Sequence, residues 1–259
     1  MSLNYTDTKG NIWKTYNNGN IDNVSREGQS IFDEAAEISI QINGSSSYFQ
    51  SKSYVTNLNK YSKLTEDSTN KVSHSREVYI GDGFGRYLES FTNSDKVAKT
   101  ITFTITDNIY YDSSANVKGT SSGDTNFTKN DKWITVNDSK TLSKPSVTHI
   151  ISGNNLTVLD TVYKGDLVTT TYSLTLAAGE TKSVMHFYAP SISTEDSTII
   201  ANNIANLSDS KYIAELTTTQ LNTIGNFNFN KTSSVSTTLA DYENKLTLTG
   251  SSVVDGTGN

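Results

Sequence analysis

The sequence predicts an all-β protein: a large antiparallel β-sandwich with two short helices toward its C-terminal end. Three observations predict this class. Several segments alternate apolar and polar residues, which is the pattern of a half-buried strand. Thr, Tyr and Val are abundant while charged residues make up only 19% of the 259 residues, and this composition favours strands over helices. The strand candidates also follow one another without intervening helices, which argues against a parallel α/β sheet.

The strand candidates occupy the first three quarters of the chain. The clearest is residues 100–106, where Ile101, Phe103 and Ile105 share one face and threonines the other. Residues 37–42 also alternate and end at Asn43-Gly44, a pair typical of a tight turn. Further strands are predicted at 10–16, 48–58, 76–80, 86–91, 133–136, 147–151, 156–162, 167–176 and 181–188. Residues 60–70 are predicted to be a loop, residues 107–131 are polar without a clear strand, and the glycine-rich residues 81–85 predict a turn.

After residue 190 the period changes to that of a helix. Ser193 fits a helix N-cap, and apolar residues then recur at helical spacing at Ile200, Ile204 and Leu207. Thr217 and Gln220 have the spacing of a capping box, which predicts a second, shorter helix. We therefore expect a sandwich domain over residues 1–190, helices packed on it over 191–230, and a terminal strand with a linker over 231–259.

The composition excludes several classes of protein. Ser, Thr and Asn together number 98 and cysteine is absent, so a disulfide scaffold, a thiolate zinc site and a cysteine nucleophile are ruled out. The net charge of −6 argues against nucleic-acid binding, because phosphate contacts need clustered Lys and Arg. Apolar runs are too short to insert into a membrane.

The tail of the chain carries a first resemblance. It contains Glu243-Asn244, then LTLTG at 246–250 and GTGN at 256–259. These pieces resemble the lead-in to the calcium-binding arrays of repeats-in-toxin (haemolysin-type) proteins. The glycine-rich nonapeptides themselves do not occur in this sequence, so the resemblance transfers no calcium ligand.

The body of the chain carries a second resemblance. GNIDN at 19–23, RYLESFTN at 86–93, SGD at 122–124 and VMHF at 184–187 are similar to pieces of a module found in large secreted bacterial proteins. Both resemblances imply a segment of a longer surface protein or adhesin that leaves the cell by type I secretion. We therefore expect an extracellular or bacterial cell-surface location. The length of the strand region is similar to that of a mutarotase-like supersandwich.

Calcium is the cofactor that the sequence suggests. Asp and Asn are dense in the loops, and such loops supply the oxygen ligands that calcium needs. Asp112 and Asp124 are the best candidates for metal ligands. The alternative is that Asp and Asn form turns there, bonding their own backbone.

Aromatic residues suggest a binding surface. Trp13, Tyr110, Tyr111 and Trp133 lie in or beside polar segments, and exposed aromatic patches mark binding surfaces. We take these four as candidate ligand-binding residues. The alternative is core packing, since the chain is poor in Leu.

No catalytic residue is predicted. His74, His149 and His186 are far apart in the sequence, without an HExxH pair, and a GxSxG motif is absent. If the fold is mutarotase-like, His186 with a nearby carboxylate is the candidate acid–base pair.

The function expected from the sequence is that of a non-enzymatic extracellular module serving adhesion or structural spacing. One alternative is a carbohydrate-binding module, and another is a mutarotase-like or other carbohydrate-active enzyme. The expected partners are glycans or other host or cell-surface ligands and neighbouring modules of the same polypeptide. Nucleic acid and membrane insertion are not expected.

Overall fold

The computed structural model describes residues 3–141, 144–154, 156–192 and 194–229, without the side chains of 194–196. The chain divides into a compact unit, Met1–Asn228, and a second unit, Phe229–Asn259. Only Phe229 of the second unit is described. The predicted terminal strand and linker, the tail that resembles the repeats-in-toxin lead-in, and the Ser193 cap therefore lie outside the described residues.

The described residues form seventeen strands and two α-helices, together with two short 3₁₀ helices at Asp112–Ser114 and Ser210–Ile213. The strands of the first half are β1 (Asn4–Thr6), β2 (Ile12–Thr15), β3 (Ile21–Arg26), β4 (Gln29–Ser30), β5 (Phe32–Ile42), β6 (Ser45–Ser46), β7 (Gln50–Asn57), β8 (Lys60–Asp67), β9 (Val72–Gly81), β10 (Phe84–Asn93) and β11 (Lys99–Ile109). The remaining elements are β12 (Ala115–Thr120), β13 (Trp133–Asp138), β14 (Ser146–Ile150), β15 (Val158–Lys164), β16 (Leu167–Leu176), β17 (Thr181–Ser191), α1 (Thr194–Ala205) and α2 (Thr218–Thr223).

The strands form two antiparallel sheets, which confirms the predicted fold class. The nine-stranded sheet has the order β1-β2-β3-β5-β11-β16-β15, with β4 on β3 and β6 on β5. The eight-stranded sheet has the order β12-β13-β14-β17-β10-β9-β8-β7. Sheets of this kind bury one face of each strand between the layers. In β11, for example, every odd-numbered residue from Lys99 to Ile109 is buried and the even-numbered ones are more exposed.

Aromatic rings fill the space between the two sheets. Phe91 of β10 lies 5.0 Å, ring centroid to centroid, from Phe103 of β11, and Phe103 stacks on Tyr172 of β16 at 5.0 Å. Such pairs add to the free energy gained from burying apolar surface. The core is therefore continuous across the layers, as the prediction of packed sheets requires.

Most of the predicted strands and turns are confirmed, but six of the seventeen strands were not predicted: β1, β3, β4, β6, β8 and β12. The Asn43-Gly44 turn joins β5 to β6 with φ angles of 51° and 79°, and the glycine-rich turn joins β9 to β10. The prediction of a loop at 60–70 is wrong, because residues 60–67 form β8. The polar stretch 107–131 contains β12 and the end of β11.

Both predicted helices are present and contact the eight-stranded sheet. The indole Nε1 of Trp133, on β13, donates a hydrogen bond of 3.1 Å to Oδ1 of Asn202 on α1, which anchors that helix to the sheet. The capping box at α2 is confirmed: Thr217 accepts from the backbone N–H of Gln220, whose side chain accepts from the backbone of Thr217. None of the helices in the described ranges is long and apolar enough to cross a bilayer.

Candidate functional site

Six charged or titratable side chains meet between the sheets. Strand alternation and register place five of them on the inner face of the eight-stranded sheet and one, Asp107, on the opposite sheet. All six are at most 5% exposed. We call this group the inner polar cluster; its members are His74, Arg76, Glu89, Asp107, His149 and His186.

Glu89 is the centre of one half of the cluster. Arg76 Nε donates to Glu89 Oε1 at 2.8 Å, and His74 Nε2 lies 2.7 Å from Glu89 Oε2. Burial alone would raise the pKa of Glu89, but the charge of Arg76 and the histidine contacts hold it well below its usual value. Glu89 is therefore a carboxylate at neutral pH, and the Nε2 of His74 carries the proton of their hydrogen bond.

Asp107 is the centre of the other half. Its Oδ2 lies 2.7 Å from Nδ1 of His149, and its Oδ1 accepts from the hydroxyl of Tyr188 at 2.6 Å. Burial would raise the pKa of Asp107, but His149 and the Tyr188 hydroxyl lower it. His149 Nε2 lies 3.2 Å from Nδ1 of His186. Burial lowers the pKa of His186 to about 4, so this ring is neutral at neutral pH.

A bulge in β5 lies against the cluster. Between Glu34 and Glu37, strand β5 has one more residue than β11 opposite it, and Ala36 takes a φ of 57°. That left-handed conformation is unfavourable for a residue with a Cβ. Two cluster members hold it: Asp107 Oδ1 accepts from the Ala36 N–H at 2.9 Å, and Arg76 Nη1 donates to the Ala36 carbonyl at 2.8 Å.

A cleft of about 540 Å³ adjoins the cluster. We call it the Arg76 cleft. Its apolar lining comes from Ile38, Ile40 and Phe49. Its polar lining includes Asn18, Asn20, Lys63, Thr65, His74 and Arg76, with Glu37 and three serines completing it. Strand β5 of one sheet and strands β8 and β9 of the other therefore contribute to the same cleft.

The walls of the Arg76 cleft are fixed by contacts to the cluster. Arg76 Nη1 also donates to Asn20 Oδ1 at 2.8 Å, and the hydroxyl of Tyr87 donates to the Gly19 carbonyl at 3.0 Å. Gly19 has a φ of +86°, and a Cβ there would lie 2.9 Å from Cδ of Arg76. The ring of Phe49 meets that of His74 edge to face, with centroids 6.2 Å apart. The cleft is thus preformed.

The predicted aromatic binding residues do not share one surface. Trp13, Tyr111 and Trp133 are buried, whereas Tyr110 is 47% exposed. The Trp13 indole donates to Asp7 Oδ2 at 3.1 Å, and the Tyr111 hydroxyl contacts the Pro145 carbonyl. These contacts favour the packing alternative for the three buried rings. None of the four lines the Arg76 cleft.

The predicted calcium ligands lie in separate turns. Asp112 begins a short 3₁₀ turn with a φ of 43°. Asp124 Oδ1 accepts from the Thr120 hydroxyl and from the backbone of Asn126, both at 2.9 Å. Within the described ranges, no three His, Cys, Asp or Glu side chains are grouped so as to share a metal ion. Calcium binding stays a prediction.

Most of the inner polar cluster was not predicted from the sequence. His186 with a nearby carboxylate was expected only for a mutarotase-like fold, and the structure places His186 Nε2 at 3.6 Å from Glu89 Oε1. Arg76, Glu89 and Asp107 were not among the candidate residues. A signal was present: Asp107 continues the inward row of Ile101, Phe103 and Ile105 at the same period of two, and a charged residue in such a row is unusual.

Comparisons with known proteins support the fold. Neither a protein-family model nor a curated protein matches this sequence. Among solved structures, the Slr1438 protein from Synechocystis sp. PCC 6803 is 10% identical, with 74% of this chain and 96% of that chain covered and a TM-score of 0.51. A galactose mutarotase-like protein from Lactobacillus casei ATCC 334 is also 10% identical, with coverages of 73% and 100% and a TM-score of 0.48.

A third similar structure is a heparan sulfate lyase mutant from Pedobacter heparinus. It is 8% identical and has a TM-score of 0.50, with 74% of this chain but only 35% of that chain covered. At such identities the likeness concerns the fold alone. The fold shown is a β-sandwich of two antiparallel sheets.

Proposed function

We propose that this chain is a carbohydrate-binding protein and that the Arg76 cleft holds the saccharide. The observation that carries the proposal is the composition of that cleft: the partly buried ring of Phe49 faces the same space as fixed hydrogen-bonding side chains such as Asn20 and His74. A sugar ring needs both, since its C–H faces pack on aromatic surface while its hydroxyls exchange hydrogen bonds. Binding sites of small molecules combine these features.

The size and rigidity of the cleft also support saccharide binding. Its volume of about 540 Å³ falls in the range of roughly 300–1,000 Å³ found for small-molecule sites. Arg76 is held by Glu89, Asn20 and Ala36 at 2.8 Å each. A preformed wall lowers the entropic cost of binding, because less of the protein must be ordered when the ligand arrives.

Such binding is non-covalent and requires no catalysed reaction. It is therefore compatible with the adhesive role in a secreted surface protein that the sequence suggests. The test is isothermal titration calorimetry with a panel of neutral and acidic monosaccharides and disaccharides. We expect at least one to bind with a Kd at or below about 1 mM.

The matched variants are Phe49→Ala and Tyr48→Ala. Tyr48 is the neighbouring residue, is 79% exposed and does not line the cleft. Phe49→Ala should weaken binding by about tenfold, the effect of losing one aromatic contact, and Tyr48→Ala should leave it unchanged. Equal effects of the two variants, or no binding by any sugar of the panel, would contradict the proposal.

A second candidate function is the interconversion of sugar anomers. The specific observation is the His74–Glu89 pair, with Nε2 and Oε2 2.7 Å apart, on a residue that lines the cleft. A carboxylate that fixes the proton on Nε2 leaves Nδ1 as a base, and opening a sugar ring needs a group that takes up and returns a proton. NMR exchange spectroscopy between the α and β anomers of a bound sugar tests this function, with His74→Asn as the inactive variant.

A further inference from the structure

Two cations lie directly opposite each other on the inner face of the eight-stranded sheet. Lys63 of β8 and Arg76 of β9 are register partners, and both line the Arg76 cleft. Like charges at directly opposed positions of an antiparallel pair destabilise the sheet. Glu89 neutralises Arg76. In the described part of the chain, no carboxylate lies within ion-pair distance of Lys63.

The other lysines of the β7–β8 hairpin differ from Lys63. Lys52 forms an ion pair with Glu66 at 2.9 Å, and Lys60 contacts Glu215. Glu37 is the acidic residue that lines the cleft, and burial and the nearby charge of Glu34 raise its pKa. Lys63 is thus a partly buried cation beside a second cation, with a cleft in front of it. Burial and the charge of Arg76 lower the pKa of Lys63.

Arg76 itself has unused hydrogen-bonding capacity. Its Nε and Nη1 are bonded to Glu89, Asn20 and Ala36, whereas its Nη2 has no hydrogen-bond partner although the residue is only 1% exposed. Buried donors are rarely left unpaired. An anion in the cleft would accept hydrogen bonds from Lys63 and would relieve the repulsion between the two cations.

We propose that the ligand of the Arg76 cleft is an acidic saccharide, a uronic acid or an oligosaccharide that contains one, with its carboxylate bonded to Lys63 and drawn toward Arg76. This inference rests on the proposed carbohydrate-binding function and names its ligand class. The carboxylate of the sugar supplies the ion-pair partner that Lys63 does not have within the described chain. The sugar ring then packs on Phe49 as a neutral sugar would.

The test compares uronic acids with their neutral parents. Glucuronate and galacturonate are titrated by calorimetry against glucose and galactose, with acetate as the simple anion. The variants are Lys63→Gln, which removes the charge, and Lys63→Arg, which keeps it. Lys118→Gln is the control, because Lys118 is an exposed lysine on β12 at the far edge of the same sheet.

We expect a uronate to bind at least about tenfold more tightly than its neutral parent, and the difference to shrink at high salt. Lys63→Gln should abolish the preference, whereas Lys63→Arg and Lys118→Gln should retain it. If the uronate and its parent bind equally well, the inference fails while carbohydrate binding stands. If acetate binds as tightly as the uronate, the site is one for small anions and the inference fails as well. If no sugar binds, the proposed function itself fails.

Discussion

Arg76 Nη1 donates a hydrogen bond of 2.8 Å to the carbonyl oxygen of Ala36, and this contact joins the two sheets at the most strained residue of strand β5. Asp107 accepts from the N–H of the same residue. One charged side chain from each sheet therefore holds a single bulged peptide segment. The bulge adjoins the Arg76 cleft, and bulges and strained residues are common next to binding sites.

The bulge predicts opposite effects of two neighbouring substitutions. Ala36→Gly should leave the free energy of unfolding unchanged or raise it by up to about 1 kcal/mol, because glycine takes a positive φ without a Cβ clash. Ala35→Gly, at a buried residue with no positive φ, should lower it by about 1 kcal/mol. Urea unfolding followed by tryptophan fluorescence measures both. Equal destabilisation by the two variants would show that Ala36 carries no strain.

Glu89 should be far more important for stability than a surface carboxylate. Glu89→Gln leaves the buried charge of Arg76 without its counter-ion, and breaking such a pair costs about 3–5 kcal/mol. The control is Glu66→Gln, whose ion pair with Lys52 is about half exposed and should cost less than about 1 kcal/mol. Thermal unfolding by circular dichroism measures both variants. A loss below about 1 kcal/mol for Glu89→Gln would contradict the assigned ion pair.

The protein should lose stability as the pH falls below about 6.5. Burial lowers the pKa of His186 from 6.5 to about 4 in the folded protein. Between these values the unfolded chain binds a proton that the folded chain does not, so the free energy of unfolding decreases as the pH falls. The loss from His186 is on the order of 3 kcal/mol. Glu89 and Asp107, whose pKa values are lowered, add further loss at lower pH.

Urea midpoints at pH 7.0, 5.5 and 4.5 test this prediction. Replacement of His186 by Asn should reduce the slope between pH 6.5 and 4, because the titrating group is then absent from both states. The variant is expected to be less stable at pH 7. A midpoint that is independent of pH in the wild-type protein would show that His186 is not a neutral buried ring.

Replacing Gly19 by alanine should lower the stability of the protein, because the added methyl group would collide with Tyr61 and Arg76. A Cβ at Gly19 would lie 2.8 Å from the Tyr61 ring and 2.9 Å from Arg76 Cδ. Gly10 has a similar φ of +81° but open space around it, so Gly10→Ala measures the backbone strain alone. We expect Gly19→Ala to cost about 1–3 kcal/mol more than Gly10→Ala and to weaken saccharide binding. Equal costs would mean that this turn does not hold Arg76 in place.

The polarity of the inward-facing side chains explains why the fold could be predicted from the sequence and the site could not. Strand β11 shows its inner face plainly, since the inward residues Ile101, Phe103 and Ile105 are all apolar and alternate with threonines. Strand β8 turns Tyr61, Lys63 and Thr65 to the inner face. Two of these three are polar, so the alternation that identifies a strand is hidden. Lys63 and Thr65, the two polar residues that hide the alternation of β8, both line the Arg76 cleft.

The sequence also could not predict which residues of the inner polar cluster meet. His74 and Glu89 are 15 residues apart, and Asp107 and His149 are 42 apart; their meeting depends on the pairing of β9 with β10 and on which strands face each other across the core. Strand periodicity gives the face that a residue takes, but not the partner across the layers. The capping box of α2 is local, and it was predicted correctly for that reason.

Backbone amide chemical shifts during a titration with galacturonate and glucuronate test the central claim most directly. The Arg76 cleft predicts saturable shifts that cluster at Asn20, Phe49, Lys63 and His74, with no comparable change around Tyr110 or Trp133. Shifts confined to another part of the surface, or none at millimolar sugar, would contradict the assignment of this cleft as a saccharide-binding site.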